Sequence, residues 1–110
     1  MDYQAILKRK LISLFPEADI RQSVLSMLES YGADENDREP DRVRVAILKL
    51  SAGDAKKLQA YLDTAKIDYR DVLAMAEFPR QLNSTSFIYD DKKQILIDKD
   101  LADYKSWLAE

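Results

Sequence analysis

Carboxylates, tyrosines, arginines and lysines are the side chains of this chain that could do chemistry, because it contains neither histidine nor cysteine. That absence removes the commonest general base and the commonest metal ligand. Ser-His-Asp and Cys-His arrangements lack their essential atoms. Disulfides and a thiolate or imidazole zinc site are excluded on the same ground. With only two glycines, Gly32 and Gly53, no glycine-rich phosphate loop can be built.

Carboxylate spacings remain. Asp34-x-Asn36-x-Arg38 starts like a calcium loop, but Glu39 stands where the sharp turn needs glycine and Arg38 replaces an oxygen ligand. Asp98-x-Asp100-x-x-Asp103 could gather oxygens around Mg²⁺, yet an N-cap and dipole-favoured acids in a first helical turn explain Asp98 and Asp100 fully. Tyr69, Arg70 and Asp71 are the best group for holding a small ligand, joined by Arg80 if the turn after Pro79 folds back. Nothing supplies the apolar pocket that would split the pKa values of paired carboxylates. No catalytic residue, metal ligand or cofactor-binding residue is therefore assigned, and no cofactor is implied.

The elements that position these groups are read from apolar spacing. Val43, Ala46, Ile47 and Leu50 recur at i, i+3, i+4, i+7, as do Tyr69, Val72, Leu73 and Ala76, with Ala55, Leu58, Leu62 and Ala65 between them. Val45 and Leu48 lie off the first stripe, so that helix is apolar nearly all round and belongs at the centre. Pro40 suits its first turn. Ser51 and Asp54 have capping-box spacing and open a helix to about Lys66; Asp68 caps the next, which Pro79 stops after Phe78. Upstream, one helix is expected from about Asp2 to Leu14, with Ile6 or Leu7, Leu11 and Leu14 inward and Lys8, Arg9 and Lys10 outward. Another runs from Glu17 to Tyr31 on the stripe Ile20, Val24, Met27, Leu28 and Tyr31, closed by Gly32.

Downstream, Leu82 is expected to dock back. Ser86-Phe87-Ile88-Tyr89 and Gln94-Ile95-Leu96-Ile97 flank Asp90-Asp91-Lys92-Lys93 and read as a small β-hairpin near residues 86–97. The turn has neither Gly nor Asn, which leaves continuation as helix as the alternative. Asp98 then caps a last helix, Lys99 to Ala109, with Leu101, Tyr104 and Leu108 inward and Trp107 packed beside Tyr104. The expected fold is mainly α: a single compact domain over residues 1–110, of five or six short helices plus the hairpin.

At 110 residues there is room for one core. The net charge of −3 is unevenly placed, with residues 16–41 acidic and residues 42–66 basic. The densest acidic run, Asp34 to Glu39, reads first as a solvated loop. Residues 52–78 resemble two helices joined by a short turn, but the second would carry Asp68, Asp71 and Glu77 against Arg70 and be repelled by phosphates, so nucleic-acid binding is not expected. The opening residues lack a secretion signal and no apolar run is long enough to span a membrane, which suggests a cytoplasmic protein with no membrane partner.

The run Arg42-Val43-Arg44-Val45-Ala46-Ile47-Leu48-Lys49-Leu50-Ser51, continued by Asp68-Tyr69-Arg70-Asp71-Val72-Leu73-Ala74 and Glu77-Phe78-Pro79, resembles the core of small uncharacterised bacterial proteins. The resemblance implies a bacterial, stand-alone domain and carries no activity with it. The expectation is a non-catalytic module binding an unknown protein partner or itself, with Phe78, Arg80, Phe87 and Tyr89 as partner-binding residues. The alternative is a small-ligand-binding protein or enzyme using Tyr69, Arg70 and Asp71. A third reading has the acidic loop at 34–41 masking a basic partner.

Overall fold

In the computed structural model, which describes residues 2–84 and 90–110, seven helices follow one another. They are α1 (Tyr3–Leu14), α2 (Ala18–Glu29), α3 (Pro40–Ser51), α4 (Ala55–Ile67), α5 (Tyr69–Glu77), α6 (Pro79–Leu82) and α7 (Asp91–Ala109). Side-chain carboxylates set several of the starts. Asp2 accepts from the Ala5 N–H, Asp54 from Lys56 and Lys57, Asp68 from Arg70 and Asp90 from Lys93. Each such cap contributes about 1 kcal/mol. Ser51 does not open α4 as its spacing suggested. It is the last residue of α3, its hydroxyl donates to the Leu48 carbonyl at 2.6 Å, and the chain reverses through Ala52 and Gly53, both at positive φ.

The centre of the globule is α3. Val43, Val45, Ala46, Ile47 and Leu48 are wholly buried, and α1, α4 and α5 pack around them. Burying each large aliphatic side chain contributes roughly 1.5–3 kcal/mol. Leu58, Leu62, Val72 and Ala76 face α3 from α4 and α5, while Tyr104 and Leu108 extend the same core from the far half of α7. The three cations of α3 reach over its neighbours. Arg42 grips Glu77 through two hydrogen bonds of 2.6 and 2.8 Å, and that contact above all holds its pKa up. Arg44 donates to the Leu28 and Tyr31 carbonyls, satisfying the end of α2. Lys49 donates to the Ala76 carbonyl at 2.7 Å from beneath Tyr104, and burial lowers its pKa.

Several expectations are corrected. The β-hairpin is not formed: residues 91–97 belong to α7, while Phe87 and Tyr89 lie outside the described residues. Asp90 caps the helix that the supposed turn begins, and Gln94 donates to Asp98 one helical turn on, so helix wins without any turn-forming Gly or Asn. The last helix thus starts at Asp91, not after Asp98. Lys10 is not outward but 4% exposed, its ammonium 4.3 Å from the centre of the Trp107 ring. Burial lowers its pKa. Ile20, Leu82 and Leu101, expected inward, are about half exposed.

Two substitutions test this packing. Gly32 has φ +103°, and a Cβ there would lie 2.8 Å from the Arg44 guanidinium and 2.9 Å from Pro40. Gly32→Ala is expected to cost roughly 1–3 kcal/mol in urea unfolding. The Tyr104 hydroxyl is buried with no hydrogen-bond partner among the described residues. Tyr104→Phe should therefore stabilise the fold by about 1 kcal/mol at neutral pH. Burial also raises the phenol pKa in the folded state above its ordinary value of 10.0. The neutral phenol's contribution is complete below pH 10 and is lost as pH climbs beyond it, so the Phe variant should lose less stability than the parent in alkali.

Candidate functional site

Two of the four residues expected to meet a partner are described, and one of them is committed internally. Asp100, 2% exposed, accepts from the Arg80 backbone N–H and guanidinium through one oxygen and from the Gln81 backbone and side chain through the other. Arg80 completes the clamp with Asp103 at 2.6 Å, and the two acids keep its guanidinium more firmly protonated, Asp103 foremost. Asp100 and Asp103 are thus ligands for α6 rather than for a metal ion. The spacing alone places Asp100 in a first helical turn after Asp98. α7 instead begins at Asp91, eight residues before the expected start at Lys99, so Asp100 lies in mid-helix on the inward face. Phe78 caps α6 with its backbone and is half-buried.

Tyr69 and Arg70 line a polar cleft of about 600 Å³ between the 34–38 loop and the junction of α4 with α5. Asp71 does not line it and is exposed. The predicted trio is therefore split. Arg70 pairs instead with Asp68, through two bonds of 3.0 Å that draw the Asp68 carboxyl below its usual range. The acidic loop closes the other side. Asp37 accepts from the Gly32 and Asp34 N–H groups, and Asp34 from Asn36, while Tyr31 donates to the Arg38 carbonyl at 2.7 Å. Burial raises the Tyr31 pKa. Asp34 and Asp37 are turn formers here, engaged with the loop's own backbone.

A different surface was not read from the sequence. Between α1 and α2 lies an apolar groove of about 330 Å³, with Leu11, Ile12, Ala18 and Leu25 in its lining and Lys8 and Arg21 beside them. Ile12 is 60% exposed. Arg21 is held by two hydrogen bonds from Nη1, to the Phe15 and Pro16 carbonyls, so the turn between the helices fixes it in place. On the other side of that turn, Leu14, Phe15, Ile20 and Gly53 line a second cleft of about 430 Å³. The available signal was Ile12 itself, an apolar residue one position past Leu11 and off the α1 stripe, beside the basic run Lys8 to Lys10. Among the described residues, no three His, Cys, Asp or Glu are grouped to hold a metal ion, and no helix is long and apolar enough to cross a membrane.

No protein family, curated protein or solved structure matches the chain.

The Asp100 clamp is testable. Asp100→Ala removes four acceptor contacts from a buried carboxylate and should destabilise the fold by about 3 kcal/mol. Hydrogen exchange at the Arg80 and Gln81 amides should accelerate, because both N–H groups donate to it.

Proposed function

We propose that this protein works by contact with another polypeptide, at the groove between α1 and α2, rather than by catalysis. The observation that carries this reading is Ile12, a large apolar side chain left 60% exposed in a concave, apolar lining. Exposed apolar surface in a concavity is what partner-binding grooves present. The charged groups elsewhere support it from the other direction: Arg42, Arg44 and Arg80 are engaged with the protein's own carboxylates and carbonyls. This reading keeps the interaction module expected from the sequence and moves its surface from Phe78 and Arg80 to the α1–α2 groove.

The small-ligand alternative has one observation in its favour, the 600 Å³ cleft in which Tyr69 and Arg70 meet the 34–38 loop. Against it, Asp71 stands apart and Asp68 is already neutralised by Arg70.

The test is retention by the tagged full chain from its host lysate, compared with Ile12→Asp and with Ile67→Asp. Ile67 is 88% exposed and lies outside the groove, so it controls for loss of any surface isoleucine. The parent and Ile67→Asp should retain the same partner, and Ile12→Asp should lose it. Sedimentation of the parent and Ile12→Asp reads self-association at the same surface. Identical retention by all three proteins, with identical sedimentation of the parent and Ile12→Asp, would defeat the proposal.

A further inference from the structure

The contact reading above, on which this inference rests, leaves the occupant of the groove open, and the charge around it narrows the choice. We infer that the α1–α2 groove takes an amphipathic helix of a partner protein whose apolar face is flanked by acidic residues.

The residues lining the groove include two cations, Lys8 and Arg21, and no acid. Among the described residues, neither cation takes part in an ion pair. Among the described residues, Arg21 donates to the neutral Phe15 and Pro16 carbonyls, so its charge is fixed in position without being cancelled by a carboxylate. A side chain already held in one place loses little further freedom when it meets an acid. Glu17 and Asp19 sit nearby in sequence at the start of α2 but do not line the groove. The basic edge is thus local, on a chain whose net charge is −3.

Shape selects the class of partner. The floor is built by Leu11 and Ile12 of α1 facing Ala18 and Leu25 of α2, a pair of helices with a furrow between them. A third helix fills such a furrow with side chains at i, i+3, i+4 and i+7, leaving its flanking positions beside Lys8 and Arg21. Nucleic acid would find two cations over an apolar floor, far from the several phosphate contacts that drive its binding. An anionic bilayer needs apolar groups that project outward, whereas these line a concavity.

The probes are three synthetic peptides of about five helical turns with one leucine face in common, flanked by Glu, by Gln or by Lys. Each is titrated into the full chain by calorimetry. The Glu peptide should bind most tightly, about tenfold better than the Lys peptide, since each rim pair changes affinity by a few-fold. That preference should vanish between about 0.1 M and about 1 M salt, where the screening length falls from about 10 to about 3 Å. Lys8→Glu, at an exposed position, should weaken the Glu peptide roughly three- to tenfold and strengthen the Lys peptide. Ile12→Asp should abolish binding of all three, with the circular dichroism of each variant unchanged.

Equal binding by the three peptides, abolished by Ile12→Asp, would reject the acidic partner while leaving the contact function standing. Failure of the Glu peptide to bind would reject this inference, and the lysate retention experiment would still judge the contact function separately. Recruitment of the chain to phosphatidylserine vesicles, lost in Lys8→Glu, together with no peptide binding, would replace the partner helix by a lipid surface.

Discussion

Helix α3 has to be covered on every side, because Val45 and Leu48 lie off the stripe formed by Val43, Ala46 and Ile47 and all five are buried. A helix in that position cannot hold free charges, since an unpaired buried ion costs several kcal/mol. Its three cations therefore extend to its margins and end on acceptors there: Arg42 on Glu77 of α5, Arg44 on the Leu28 and Tyr31 carbonyls at and just past the end of α2, Lys49 on Ala76 near the end of α5. Burial and charge satisfaction are one arrangement here. The hydrophobic contacts place the neighbours, and the cations then tie them down through the Glu77 carboxylate and through carbonyls at the helix ends. The need for Gly32 follows, because the Arg44 guanidinium occupies the space where a side chain would begin.

Helix α1 divides its basic run in the same spirit. Arg9 donates to the Leu108 and Glu110 carbonyls at the end of α7, and Lys10 lies over Trp107. These two cations tie the first helix to the last. Lys8 and Ile12, one turn apart, are left uncovered together, and with α2 they line the groove. The surface proposed for contact is therefore a by-product of how α1 is anchored: its inward and α7-facing sides are taken, and the remaining side carries one cation and one isoleucine.

The Asp100 clamp does for α6 what the α3 cations do for α2 and α5. A four-residue helix cannot sustain itself, since nucleation costs more than its few hydrogen bonds return. Its first N–H groups are held by a carboxylate that reaches across from α7 and is shielded from water. Arg80 brings a counter-charge that makes this burial tolerable.

Helices α1 to α5, their approximate ends and the central place of α3 were legible in the sequence, because apolar spacing and capping acids act over a few residues and are decided locally; α6, read as a polar turn, was not. Asp68 as a cap, Pro40 in a first turn and Gly32 beyond a helix end all belong to the locally decided class, whereas the start of α4 is capped by Asp54 and not, as the capping-box spacing suggested, by Ser51. The beginning of α7 was not legible, since Ile95 and Ile97 suit a strand as well as a helix, and the Asp90 cap and the Gln94–Asp98 contact favour the helix. Nor were the destinations of the charged side chains. Lys10 over Trp107 and Asp100 beneath α6 depend on contacts between residues far apart in the chain, whereas the separation of Asp71 from Tyr69 and Arg70 follows from helical spacing, which turns successive residues to different faces. The one-dimensional pattern states that a charge exists; which acceptor it finds, and whether it is left free at a groove, is decided only when distant helices meet.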